Sequence, residues 1–295
     1  MYEIYKRLIM QANIAVLLQY ILPKQAITTL AGKLAHYKGG NLTTAVITWF
    51  VKRYQVNMSE AAEPNISTYK TFNDFFTRPL KTGARPLAQA AFICPVDGAI
   101  SQFGNIEADQ IFQAKGHAYS TTALVGGDKN IAKDYGNGHF ACLYLSPKDY
   151  HRIHMPCDGT LKSMTYVPGA LFSVNPTTAQ GVPGLFARNE RVVCEFTSAT
   201  HGSFIMVLVG ATIVGSMATV WHDAENGIIN PPRTRSARVW TYVKQKITLK
   251  QGDEMGRFLL GSTVVMLFQK DTLQFNTDWH PAQKIMLGEM MGTQL

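Results

Sequence analysis

An α+β fold is predicted, a β-rich core joined to a small helical N-terminal region, and three observations predict it. Apolar residues recur at helical spacing over the first 60 or so positions. From Phe92 onward the pattern changes to short β-type runs separated by Gly, Pro and Asn. Between the two lies a transition, Tyr69 to Pro86, which carries an aromatic cluster (Phe72, Phe75, Phe76) and two X-Pro turns. The expected division is 1–60 for the helical region and 61–295 for the core.

Taken in order, Ile4, Leu8, Ile9, Ala12, Val16, Leu17 and Tyr20 share one helical face, and Pro23 ends that helix. A second helix is expected from Lys24 to Lys38, stopping at Gly39-Gly40, and a third from about Thr43 to Tyr54. Lys6, Arg7, Lys24, Lys33, Lys38, Lys52 and Arg53 decorate these segments. Basic, apolar, weakly amphipathic helices fit a bilayer interface, where anionic headgroups add roughly 1 kcal/mol per nearby cation. A helical cap packed on the core is the plain alternative. The most apolar stretch, Leu8 to Leu22, is short and broken by Gln11, Asn13 and Gln19, so it makes no clear transmembrane helix and does not read as a cleavable signal peptide. The expected strands are FACLYLS (140–146), RVVCEF (191–196), SFIMVLVG (203–210), ATIVGSMATV (211–220), ARVWTYVKQKITL (237–249) and STVVMLF (262–268), all rich in β-branched and aromatic residues.

Hydrophobic residues make up 46% of the 295 and charged residues 16%, a balance that buries a core and excludes a disordered chain. The net charge of +8 points to an anionic partner, either nucleic acid or membrane. The basic residues are scattered, and no zinc-finger spacing, RNA-binding signature or basic region with heptads accompanies them, which favours membrane over nucleic acid. None of Cys94, Cys142, Cys157 and Cys194 forms a C-x-x-C pair, so they read as buried thiols of a reducing compartment rather than zinc ligands.

Three stretches carry candidate chemistry. CPVDGAI places Asp97 on a Pro-flanked turn, SPKDYHRIHMPCDG holds His151 and His154, and GDEMGRFLLGSTVVMLF sets Ser262 between Gly261 and an apolar strand. Each alone has a plain reading: Asp-Gly is a common turn, a histidine pair packs or titrates, and Gly-Ser-Thr is a frequent tripeptide. Together they supply the acid, base and hydroxyl that activate a nucleophile, the histidine removing the serine proton and the aspartate holding the imidazole tautomer. LLGSTVV does not match the G-x-S-x-G elbow, which argues against a lipase or esterase.

In this order the segments resemble the phosphatidylserine decarboxylase family of prokaryotic type. LGST at 260–263 with GDEMGRF upstream is similar to that family's self-cleavage site, DYHRIHMPCDG at 149–159 to its histidine motif and PVDG at 95–98 to its acidic motif. FNDFFTRPLK at 72–81 and VPGALFSVN at 167–175 also resemble family segments. The resemblance implies that Ser262 attacks the carbonyl of Gly261, with His154 as base and Asp97 orienting it. β-Elimination of the resulting ester releases a β chain, 1–261, and leaves an α chain, 262–295, whose first residue hydrolyses to a pyruvoyl cofactor and ammonia. The implied reaction is decarboxylation of phosphatidylserine to phosphatidylethanolamine and carbon dioxide through a Schiff base with that pyruvoyl group, and it requires no metal. His151 is the candidate general acid, placed three residues from His154 as if to face the same pocket. Phe172 is a candidate lipid contact, although core packing is the plainer role for it and for Phe75 and Phe76.

The implied partners are phosphatidylserine, an anionic membrane surface and the protein's own two chains, with a homodimer as a further assembly. The implied place is the cytoplasmic face of a bacterial cell membrane, held peripherally. Two competing readings stay open on the residues alone: a serine hydrolase acting on lipids without self-cleavage, and a non-catalytic lipid-binding module.

Overall fold

The computed structural model describes residues 14, 16–212, 217–221, 228–229, 236–259 and 263–295. Most of the first expected helix, and Leu260, Gly261 and Ser262, lie outside them. The described chain is α+β and β-rich, as its patterning predicts. Residues 16–21 are helical, and after Pro23 come α1 (Lys24–Ala35) and α2 (Asn41–Tyr54), close to their expected bounds. α2 stops at Gln55, whose φ of 56° reverses the chain. A short α3 (Phe72–Phe76) follows, fixed by a capping box. Thr71 Oγ1 accepts from the Asp74 N–H at 3.0 Å, and the Asp74 carboxylate accepts from the Thr71 N–H at 3.0 Å.

Among the described residues eighteen strands follow: β1 (Phe92–Ile93), β2 (Gly98–Asn105), β3 (Gln110–Phe112), β4 (Ala118–Ser120), β5 (His139–Tyr144), β6 (Arg152–His154), β7 (Gly159–Val167), β8 (Arg191–Ser198), β9 (Gly202–Val209), β10 (Met217–Thr219), β11 (Ile228–Ile229), β12 (Arg238–Thr241), β13 (Thr248–Leu249), β14 (Glu254–Phe258), β15 (Thr263–Phe268), β16 (Gln274–Phe275), β17 (Lys284–Ile285) and β18 (Met290–Thr293). The main sheet has nine strands, in the order β12-β7-β8-β9-β15-β5-β2-β17 with β13 paired to β7. A second sheet, β11-β10-β14-β6, carries the histidine strand.

β15 lies inside the main sheet and is buried throughout, because alternate side chains serve opposite faces. Val264, Met266 and Phe268 join one core with Phe92, Phe196 and Phe204. Val265 and Leu267 join another with Phe140, Val207 and Phe186. A third cluster, Ile47, Val56, Phe75 and Phe76, welds α2 to α3, so the residues just after position 60 pack with the helices before it. Phe75 and Phe76 are therefore packing residues, and all four cysteines are free and buried.

Two expected strands come out differently. Of 211–220 the described strand is only β10, and 213–216 lie outside the described residues. The run 237–249 is two strands, β12 and β13. Between them the Gln245 N–H donates to the Tyr242 carbonyl at 2.9 Å, and Lys246 takes a φ of 49°.

Candidate active site

β15, β5 and β2 lie side by side, and residues of β2 and β5 build one wall of a cleft. Ala99 and Thr263 both pair with Tyr144, so the residue after Ser262 stands one strand away from Tyr144, which lines a cavity of about 980 Å³. The glycine of PVDG permits that approach. A Cβ on Gly98 would stand 2.3 Å from the Tyr144 carbonyl oxygen, so only glycine fits there. On the other side of the undescribed segment, the Phe258 N–H donates to the His151 carbonyl at 3.0 Å. The two described flanks of Gly261–Ser262 are thus tied to the histidine motif and to the cavity wall.

Asp97 lines this cavity and is buried. Its carboxylate accepts from Arg85 Nε at 2.9 Å and Nη2 at 2.6 Å, and from the Leu287 N–H at 2.9 Å. Arg85 Nη2 also reaches Glu60 at 2.7 Å, which links the acid to the short turn that follows α2. A forked guanidinium–carboxylate pair of this kind fixes geometry as well as charge.

His154 ends β6. Its Nδ1 lies 2.8 Å from the Gly252 carbonyl, which only accepts, so Nδ1 carries the proton and donates. Nε2 then holds the lone pair and accepts from the Tyr150 hydroxyl at 3.2 Å. Burial is the largest influence on this ring and lowers its pKa below 6.5. Tyr150 lines the cavity and joins His154 to its wall. The Gly252 carbonyl, not Asp97, therefore sets the His154 tautomer in this structure. Asp97 acts on His154 electrostatically, without a hydrogen bond among the described contacts.

His151 does not share a face with His154, since neighbours three apart on extended chain point to opposite sides. Its ring is fully buried against Phe76, with centroids 4.1 Å apart. Nδ1 donates to the Asp149 carbonyl at 2.8 Å, and the buried Nε2 has no partner among the described residues. Burial, reinforced by Arg78, lowers its pKa to about 3, so at neutral pH the ring presents a lone pair rather than a transferable proton. The group is neutral when folded and titrates near 6.5 when unfolded, so the unfolded chain binds the extra proton first as pH falls. Uncut protein is therefore expected to lose about 1.4 kcal/mol of stability per pH unit from this residue between pH 6.5 and 3, with no such loss above 6.5. Denaturant titrations of Ser262→Ala and Ser262→Ala/His151→Gln across that range check this, and equal slopes for the two proteins would overturn it.

Phe172 is buried, its ring 5.0 Å from Tyr20 and 4.4 Å from the Lys24 ammonium, which gives it a packing role at the seam with the N-terminal helices. Sequence reading missed Tyr150, Gly252 and Arg85. Tyr150 sits inside the histidine motif and Arg85 in the transition segment, but nothing in their local sequence names their partners.

An acid in a cleft, a half-buried histidine joined to that cleft through Tyr150, and the flanks of a glycine–serine segment nearby are the features of one class of protein, those with an enzyme-like site. Comparison with known proteins narrows the class. The phosphatidylserine decarboxylase family model matches residues 72–293, and a second model described as PSD matches residues 14–55. The phosphatidylserine decarboxylase proenzyme of Dechloromonas aromatica is 69% identical over 284 residues, covering 96% of this chain and 99% of its own. That of Albidiferax ferrireducens is 69% identical over 282 residues, covering 96% and 98%. That of Azoarcus sp. is 66% identical over 283 residues, covering 96% of each. The chain belongs to the phosphatidylserine decarboxylase family.

Proposed function

We propose that this protein is a proenzyme that cuts itself between Gly261 and Ser262, gains a pyruvoyl group at position 262, and then decarboxylates phosphatidylserine to phosphatidylethanolamine on a membrane surface. One observation carries the reading. The described flanks of the glycine–serine bond, Phe258 and Thr263, are fastened to His151 and beside Tyr144, at a cavity that Asp97 and Tyr150 also line.

In the cut, the Ser262 hydroxyl oxygen bonds to the Gly261 carbonyl carbon while its proton passes to a base. The peptide C–N bond between the two residues then breaks, the base returns the proton to the departing Ser262 nitrogen, and residues 1–261 are left as an ester on the Ser262 oxygen. His154 Nε2 suits the role of base, since burial keeps the ring neutral at pH 7, the proton sits on Nδ1, and among the described residues the Tyr150 hydroxyl alone engages Nε2. Asp97, held by Arg85, stabilises the imidazolium by its nearby charge. Loss of the Ser262 Cα proton then expels residues 1–261 as a carboxylate, and hydrolysis of the remaining double bond releases ammonia.

The residues around position 262 fit the group formed there. Thr263 is fully buried and its hydroxyl has no partner among the described residues, leaving a donor beside the new terminus. The pyruvoyl carbonyl supplies an electrophile for the substrate amine and an electron sink for decarboxylation. The chain's own part is to exclude water with Tyr144 and Tyr150 and to return a proton to the product. His151, the residue expected for that return, is fully buried against Phe76, outside the residues that line the cavity, and neutral at pH 7, so as folded here it carries no proton to return.

The N-terminal helices suit a substrate whose acyl chains stay in the bilayer. α1 and the turn after it expose Leu30, Leu34 and Tyr37, and α2 exposes Leu42, Val46 and Trp49, each set at helical spacing. Lys33, Lys38, Lys52 and Arg53 lie among them. Among the described residues no helix is long and apolar enough to cross a membrane, and the exposed apolar faces with their basic neighbours suit attachment at a bilayer interface. The basic excess favours an anionic surface, such as the cytoplasmic face of a bacterial membrane.

Intact-mass measurement of the purified protein tests the reading. It is expected to show two chains, the smaller spanning residues 262–295 with its amino group replaced by a ketone. A single full-length chain in protein that releases carbon dioxide would sink it, and a single chain that hydrolyses lipid esters would favour the serine hydrolase.

A further inference from the structure

Arg78 is a buried guanidinium with little to hold. It follows α3, only 3% of its surface is exposed, and it lines the same cavity as Asp97 and Tyr150. Nη1 points at the Phe75 carbonyl from 3.5 Å and Nη2 at the Lys148 carbonyl from 3.4 Å, both at the far limit of a hydrogen bond. Nε is buried with no partner among the described residues, and the Phe75 ring stacks 5.2 Å from the guanidinium carbon. The nearby acids are committed elsewhere. Asp97 and Glu60 bind Arg85, and Asp149 accepts from the Ser146 N–H and hydroxyl, each at 2.7 Å. Lys148, exposed, lines the cavity as well, and no described carboxylate pairs with it or with Arg78. A buried cation held only by two long carbonyl contacts and a ring, with no carboxylate among the described residues, is costly, and an anion arriving from outside would complete it.

From this geometry we infer that Arg78, with Lys148 at the exposed side of the cavity, is the receptor for the phosphodiester of the substrate headgroup. The inference rests on the decarboxylase reading, whose substrate brings two anions, a carboxylate and a phosphodiester. Catalytic logic separates them. The carboxylate charge disappears as carbon dioxide leaves, so a guanidinium paired to it would stabilise the ground state and slow the reaction. The phosphodiester keeps its charge throughout, so Arg78 binds ground state and transition state alike. Its planar fork of N–H donors matches phosphate oxygens, and stacking on Phe75 leaves the two long carbonyl contacts of Nη1 and Nη2 to be exchanged for a stronger acceptor. Arg78 also lies within electrostatic reach of His151, whose pKa burial lowers first and the Arg78 charge lowers further, and a phosphodiester bound there would offset that second contribution.

The test uses processed enzyme and short-chain phosphatidylserine, with Arg78→Gln and Arg78→Lys compared with the parent. Arg78→Gln is expected to be cut normally, to raise KM about tenfold or more, and to change kcat less than about threefold. Glycerol 3-phosphate is expected to inhibit the parent competitively and to lose potency in Arg78→Gln by the same factor, with Arg78→Lys in between. An unchanged KM, or a fall in kcat of about tenfold at constant KM, would overturn the inference. Should Arg78→Gln not fold, Arg78→Lys decides on the same criteria, with an expected rise in KM of about threefold. Calorimetric titration of glycerol 3-phosphate into the uncut Ser262→Ala protein, with and without Arg78→Gln, reads the site without any turnover. Binding lost with Arg78 supports the receptor even if the decarboxylase reading fails, and equal binding by the two proteins removes it even if that reading stands.

Discussion

Ser262→Ala is expected to remain one full-length chain and to release no carbon dioxide from phosphatidylserine, a loss of at least about 10³-fold. The expectation follows from what the substitution removes. The hydroxyl is both the nucleophile of the cut and the precursor of the group that reacts with substrate, so no later step has a substitute. The adjacent Thr263 hydroxyl does not take over. Thr263 is paired on both sides, with Tyr144 and Val209, so its backbone is held in extended geometry. The variant should fold, because Thr263 to Phe268 keep every cross-strand partner and both cores are untouched. A melting temperature close to that of the parent, alongside one band on a denaturing gel, would separate lost chemistry from lost structure. Cleavage at 261–262, or retained decarboxylation, would refute the role of Ser262.

How much of this is legible in the sequence depends on where the cause of each feature lies. β8, β9 and β15 stand within a residue or two of their expected bounds, because strands buried on both faces read as unbroken runs of β-branched and aromatic residues. The run 237–249 has the same composition yet turns at Tyr242 to Gln245, and no Gly or Pro marks the turn. The titrating residues of the site are visible because few side chains do acid–base work. Their partners are not. The Asp97 carboxylate is held by a backbone N–H from Leu287, far along the chain, and by an arginine that a local reading cannot tell from any other surface arginine. The expected pairing of Asp97 with His154 assumes the familiar geometry of an activated serine, whereas β6 and the turn before β14 offer the imidazole a carbonyl at Gly252 instead. His151 is expected beside His154, and the extended backbone of the motif sends it into the Phe76 cluster.

His154→Ala is expected to block self-cleavage by about 10²- to 10⁴-fold, the usual contribution of a positioned base, and so to leave full-length protein without activity. The pH profile of cleavage carries the sharper information. His154 works as a base only when neutral, and burial lowers its pKa below the ordinary 6.5, so protons compete with the base only in acid. Cleavage of freshly made proenzyme should therefore proceed at a constant rate from pH 8 down past 6.5, and then fall about tenfold per pH unit below the folded pKa. His151 does not confuse this profile, since its pKa of about 3 keeps it neutral over the whole range. Asp97→Asn is expected to shift the falling limb to more acid pH, because removing a negative charge further disfavours the imidazolium. It should also slow the plateau, because the imidazolium formed in the cut loses its counter-charge. Following the band pattern against time at each pH measures both effects. A rate that halves at or above pH 6.5 would show that His154 is not the base, and a plateau unchanged by Asp97→Asn would reduce Asp97 to a structural partner of Arg85 and the Leu287 N–H.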